Sequence, residues 1–118
     1  MPIRLKRIYE EPNKNDGLRI LVERLWPRGV SKKDAALDMW IKDAAPSAEL
    51  RNWFKHDPEK WEEFRKLYYK ELDSKHGIVN EIIELSRKGI ITFVLASKET
   101  RFNNAAALKQ YIDNQLKT

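Results

Sequence analysis

Residues 90–96 read Ile-Ile-Thr-Phe-Val-Leu-Ala, an almost unbroken apolar run rich in β-branched side chains. A strand wetted on one side alternates apolar and polar residues, so a continuous run of this length reads as a strand covered on both faces, the habit of parallel sheets. Ile90 to Ala96 is therefore the expected central strand. The Lys88-Gly89 pair before it is a helix stop. The loop after it, Ser97-Lys98-Glu99, leads to Asn103-Asn104 and a further helical pattern, which is expected to bury Ala105, Leu108, Ile112 and Leu116.

Working outward toward the N-terminus, Ile3 to Tyr9 places Ile3 and Leu5 on one face and Arg4, Lys6 and Ile8 on the other, the mixture of an edge strand. Glu11-Pro-Asn-Lys-Asn-Asp-Gly17 is dense in turn residues, and Leu18 to Leu25 follows as a second strand. The link between them is too short for a helical crossover. Two arrangements stay open: direct antiparallel neighbours, or parallel strands with another placed between them. Met39 to Ile41 is a candidate short strand.

Helices fill the rest. Ser31 and Asp34 have the spacing of a capping box, Ser47 caps a short helix through Phe54, and Asp57 precedes Pro58 at a first helical position. Trp61, Phe64, Tyr68 and Leu72 then fall on one helical face, and after Gly77 so do Ile78, Val79, Ile82, Ile83 and Ser86. The expected fold is α/β, with a small, mostly parallel sheet of three to four strands flanked by helices. Its 118 residues are expected to form a single domain.

Composition narrows the function classes. Hydrophobic residues make up 42% and charged residues 35%, as in globular proteins. There is no cysteine, which excludes disulfides, thiolate metal sites and a cysteine nucleophile. His56 and His76 are too far apart to form a metal motif, and there is no Walker loop, dinucleotide glycine fingerprint or nucleophile elbow. No metal and no cofactor are expected. With no apolar run near the ~20 residues that cross a bilayer, no membrane association is expected and the location is expected to be the bacterial cytoplasm. The net charge of +5 is concentrated: residues 1–33 hold nine Lys or Arg against four Asp or Glu, while the remainder balances. Such asymmetry suits an anionic partner, and it equally suits lysines that only solvate the surface.

Two loops carry the candidate chemistry. In Glu23-Arg24-Leu25-Trp26-Pro27-Arg28-Gly29, two arginines flank an aromatic and a rigid proline, an arrangement that can fix guanidinium forks for phosphate or carboxylate. The other reading pairs Arg24 with Glu23 or Asp38 and makes Trp26 a core plug. In the second loop, Lys98 supplies charge and Asn103-Asn104 opens a helix, whose N-terminal amides favour anions. The other reading makes the asparagines helix caps and gives Lys98 to Glu99 or solvent. Convergence favours the functional reading of both if their strands run parallel, because in open α/β sheets ligands bind beyond the carboxyl ends of parallel strands. His56 beside Asp57 has the makings of a base and its orienting carboxylate, yet Asp57 is already a cap and adjacent side chains seldom point together.

Arg24-Leu-Trp-Pro-Arg-Gly-Val30, Trp53-Phe-Lys-His-Asp-Pro-Glu-Lys-Trp-Glu-Glu-Phe64 with Tyr68 and Glu71-Leu72 beyond it, and Asn103-Asn-Ala105 together resemble the YeaO-like bacterial proteins, a domain of unknown function of the DUF488 type, over essentially the full length. The resemblance implies a small α/β sheet domain with a shared site at the two loops. Longer relatives in the wider family carry Cys-His-Arg where this chain has Asn103-Asn104-Ala105. If that triplet is catalytic there, this chain lacks its nucleophile and base, and the asparagine pair can bind but not attack. Glu23 and Glu99 stand where Asp is usual, and Phe102 where His is common in the closer relatives.

The leading expectation is thus a pocket for a small anionic ligand, with Arg24 and Arg28 as clamps, Lys98 as a point charge, Asn103 and Asn104 as orienting amides and Trp26 as a wall. Glu23 and Glu99 are the available bases, but no pair of groups announces opposed protonation roles, so binding is preferred to catalysis. The alternative is a nucleic-acid-binding module using the basic first third. A third class, a regulatory partner protein, has only exposed aromatics behind it. The residues specify no oligomeric state.

Overall fold

The computed structural model describes residues 3–99 and 101–117. Strands β1 (Ile3–Arg7), β2 (Leu18–Leu21), β3 (Met39–Trp40) and β4 (Ile91–Leu95) form one sheet in the order β1-β4-β2-β3, with every neighbouring pair parallel. The fold is α/β. All five residues of β4 are buried, as its continuous apolar run requires of a strand flanked by β1 and β2 and covered on both faces. The choice left open for the first two strands falls on the parallel one: Leu5 and Ile20 both lie opposite Phe93, on its two sides.

Parallel β1 and β2 oblige residues 8–17 to return from one edge of the sheet to the other. Ten extended residues can reach about 33 Å, well beyond the length of a five-residue strand, so no crossover helix is needed. The return ends in a 3-10 turn, Lys14–Asp16, capped by Asn13. There Asp16 is buried: its carboxylate pairs with Lys6 at 3.2 Å and Arg19 at 2.7 Å, and its carbonyl accepts from Thr92 Oγ1 at 2.7 Å. Arg19 is buried too, and donates further to the carbonyls of Ala35 and Ala36. Gly17 has φ of 64°, and a Cβ there would sit 2.0 Å from the Ile90 carbonyl oxygen. Only glycine fits this approach.

The helices are α1 (Lys32–Ala35), α2 (Ala48–Phe54), α3 (Trp61–Asp73), α4 (His76–Lys88) and α5 (Asn104–Leu116). Ser31, Ser47 and Asn103 accept the first free amides of α1, α2 and α5, and Asp57 caps the 3-10 turn ahead of α3. The main core joins α2 to α5 with one sheet face, where Ile20, Ile91, Phe93 and Leu95 meet Phe64, Tyr68, Leu72, Ile82, Leu108 and Ile112. A smaller cluster on the other face gathers Ile8, Ala35 and Val94, with Trp26, Val30 and Leu37 against it. No helix among the described residues is long and apolar enough to cross a membrane.

Several boundaries differ from the sequence expectation. The strand expected over Leu18 to Leu25 ends at Leu21 because side chains take over its carbonyls: Asn104 Nδ2 donates to Val22 O and Trp40 Nε1 to Glu23 O. The strand expected through Tyr9 ends at Arg7, where Glu10 closes a turn with both its amide and its carboxylate. Pro58–Lys60 is a 3-10 turn before α3, and α4 starts at His76, ahead of Gly77.

Two outcomes follow from this packing. Trp61 is 8% exposed and touches Phe54, Phe64 and Phe102, so Trp61→Ala should cost about 3–5 kcal/mol. A thermal midpoint equal to the parent's would show that the stripe is not core.

The second outcome concerns acid. Burial raises the Asp16 carboxyl, but the Asn13 amide, Arg19 and Lys6 outweigh it and hold the group below its ordinary 3.8. A depressed folded value means stability that is whole above the ordinary value and is lost as pH falls through the folded one. Asp16→Asn should destabilise the protein at neutral pH by roughly 3–5 kcal/mol, since it leaves a buried guanidinium uncompensated. It should also flatten the acid limb of a stability curve measured between pH 5 and 2; an unchanged limb would assign that acid sensitivity to other groups.

Candidate functional site

Because β2 and β4 are parallel, the segments leaving them emerge at one edge of the sheet. The tie between them is direct. The Ala96 amide donates to the Glu23 carboxylate, and Asn104 Nδ2 donates to the Val22 carbonyl at 3.1 Å. Trp40 Nε1 holds Glu23 from the other side through its carbonyl, at 2.7 Å. Arg7 Nε reaches the Ser97 carbonyl at 3.0 Å, so β1 joins the same edge.

Beyond this edge lies a hollow of about 160 Å³, lined by Glu23, Pro46, Arg51, Phe54, Lys55, His56, Phe64 and Asn104. Its far wall is the end of α2. There the chain turns through two successive left-handed residues, Lys55 with φ of 48° and His56 with φ of 57°, before Asp57 caps the next turn. Neither is glycine, so each conformation costs roughly 1 kcal/mol or more and is held by its surroundings. The His56 ring stands edge-on to Phe54, centroids 5.8 Å apart. Phe54 in turn stacks on Phe64 at 4.0 Å, which makes the apolar wall rigid.

The electrostatics of the hollow centre on Glu23. Burial pushes its carboxyl above the ordinary 4.5, against the opposing pull of the Ala96 amide and the nearby Arg51 charge. Glu23 and Arg51 nevertheless form no ion pair within 4.0 Å. Glu99, in the next loop, behaves oppositely. The Arg101 and Phe102 amides donate to its carboxylate, and these bonds, with Arg101 and His56 nearby, lower its pKa.

The residues singled out from sequence are distributed unevenly around this edge. Asn104 lines the hollow and bridges to β2. Asn103 is fully buried; its Oδ1 caps the Ala106 amide at 2.8 Å and its Nδ2 donates to the Glu99 carbonyl at 2.7 Å. Arg24 is half-buried, with its Nε buried and without a hydrogen-bond partner among the described residues. Trp26 donates to the Val30 carbonyl at 2.7 Å, meets Trp40 edge-on and lines a separate hollow of about 220 Å³ with Lys32, Leu37, Asp38 and Met39. Arg28 and Lys98 are exposed, and the Arg28 carbonyl accepts from Tyr9. Arg51, Lys55 and His56 were not foreseen as a group. Asp57 caps the turn as expected, and His56 beside it lines the hollow itself. The run Trp53-Phe-Lys-His-Asp-Pro58 was the available signal.

The fold and the site together define a small parallel α/β sheet protein with a charged hollow at the carboxyl ends of its strands. Residues 2–118 match the family described as the inactive DUF488-N3 subclade, and the chain belongs to that DUF488 family. It is 38% identical over 112 residues to the uncharacterised protein YeaO of Escherichia coli, covering 95% of this chain and 97% of that protein. It is 37% identical over 113 residues to uncharacterised proteins of Mycobacterium tuberculosis and Mycobacterium bovis, covering 96% of this chain and 95% of each. No solved structure matches it.

The raised Glu23 carboxyl sets a pH dependence opposite to that of Asp16. The folded state holds this proton more tightly, so stability falls as pH rises from the ordinary value through the folded one, and the cost is complete above it. Glu23→Gln keeps an acceptor for the Ala96 amide without the charge. It should gain stability relative to the parent at pH 7 and lose that advantage at pH 4, read as paired denaturant midpoints. A variant less stable than the parent at both pH values would show the charge to be favourable where it sits.

Proposed function

We propose that the protein binds a small anionic ligand, bearing phosphate or carboxylate, at the carboxyl ends of β2 and β4. The observation that carries this reading is Arg51, which lines the hollow beside the stacked Phe54 and Phe64 rings and forms no ion pair among the described residues. Such a fork is suited to bidentate contact with an oxyanion. Lys55 and His56 stand at the same hollow, and Arg24, Arg28 and Lys98 belong to the segments leaving the two strand ends. At about 160 Å³ the hollow is smaller than the ~300–1,000 Å³ that encloses a drug-sized molecule, so the ligand is of head-group size.

Binding without turnover is the preferred chemistry. Asn103-Asn104-Ala105 stand where the family resemblance implies Cys-His-Arg in longer relatives, and Asn103 serves as a buried helix cap. The family's own description as inactive agrees. The nucleic-acid alternative draws less support, because much of the basic first third is engaged within the fold: Lys6 and Arg19 on Asp16, Arg4 on the Asn15 carbonyl and Arg7 on the Ser97 carbonyl.

Titration with inorganic phosphate and with acetate, followed by amide NMR, should move the Ala96 and Asn104 signals in a saturable way. Arg51→Ala should weaken that binding about tenfold or more with little change in the thermal midpoint of the free protein. Saturable binding of duplex or single-stranded nucleic acid, weakening by orders of magnitude toward physiological salt and unaffected by Arg51→Ala, would favour the alternative. Amide signals that stay still at millimolar anion would remove the proposal.

A further inference from the structure

Resting on that reading, we infer that the ligand class preferred by the hollow is a small zwitterionic amino acid, its carboxylate on Arg51 and its ammonium between Glu23 and Asn104. The argument is that charges of opposite sign line one small space without touching. Glu23 and Arg51 both face the hollow, yet neither takes part in any ion pair within 4.0 Å among the described residues. Opposite charges at the wall of a partly closed space attract a molecule whose own charges are arranged the other way round.

Hydrogen-bond capacity points the same way. The Asn104 side chain donates its amide nitrogen to Val22, which orients the group and leaves Oδ1 as an acceptor. One oxygen of Glu23 accepts from Ala96, and its second oxygen remains an acceptor. The hollow therefore offers acceptors from Glu23 and Asn104 and donors from Arg51, with Lys55 and His56 also on its wall. Phosphate or acetate can meet the donors of Arg51, Lys55 and His56, but it leaves the Glu23 and Asn104 acceptors unused and would lie beside a carboxylate of like charge. An amino acid satisfies both ends. The space of about 160 Å³ corresponds to roughly five waters at their liquid volume, which suits glycine, β-alanine or a compound a few atoms larger. The stacked Phe54 and Phe64 rings give its methylene groups an apolar wall.

Calorimetry or NMR titration of the parent protein with glycine, β-alanine, acetate and methylammonium tests this. At least one amino acid should bind about tenfold more tightly than acetate and than methylammonium, the gain expected of a second charge-assisted contact. Glu23→Gln should remove most of that advantage without lowering acetate affinity, and Arg51→Met should weaken amino acid and acetate alike. If acetate or phosphate binds as tightly as both amino acids, the zwitterion inference falls while the anion pocket stands. If none of the probes binds, both fall. Should a variant fail to fold, the affinity ratio in the parent protein still decides.

Discussion

The constraint on which the structure turns is the return of the chain from β1 to β2. Two strands joined by ten residues are ordinarily hairpin neighbours, yet here β4 lies between them and all three run the same way. That requires the link to cross back over the sheet and to begin β2 at the correct edge. Asp16 holds it there. Its carboxylate gathers Lys6 from β1 and Arg19 from β2, and its carbonyl takes the Thr92 hydroxyl of β4. One residue thus touches all three strands, and Gly17 lets the backbone pass against Ile90. A buried charge is costly unless it is paired and hydrogen-bonded, and this one is both.

The parallel arrangement is also what makes the site. Antiparallel β2 and β4 would send their exits to opposite edges, and Glu23 could not meet the Ala96 amide. In the parallel sheet the exits are side by side, Glu23 spans them, and Asn104 closes the third side by reaching Val22. Side chains thereby replace the ladder where β2 stops. The burial that this requires is the same burial that raises the Glu23 carboxyl, so the structural tie and the unusual charge environment have a single origin. Arg51 lines the hollow from within α2, and His56 from the left-handed turn that follows it.

The basic character of the first third has two different destinations. Lys6 and Arg19 neutralise a buried carboxylate, and Arg4 and Arg7 satisfy backbone carbonyls. Arg28, by contrast, is exposed, and Arg24 buries a nitrogen that finds no acceptor among the described residues. Net charge counts all of these equally, which is why it points to an anionic partner without locating one.

Local patterns were legible in the residues themselves. The apolar run of β4, the 3.6-residue stripe of Trp61, Phe64, Tyr68 and Leu72, and the caps at Ser47, Asp57 and Asn103 each follow from neighbours a few positions apart, where period and turn chemistry decide. So did the expectation that the two loops lie at strand ends. What lay beyond reach was pairing across distance. Parallel or antiparallel β1 and β2, the truncation of β2 by Asn104 and Trp40, and the entry of Arg51 and His56 into the hollow all depend on residues far apart in the chain, up to the 88 positions between Leu5 and Phe93. The spacing of a sequence encodes which face a side chain takes on its own helix or strand. Which other element meets that face is decided only when burial, chain reach and hydrogen-bond satisfaction are solved together in the folded chain.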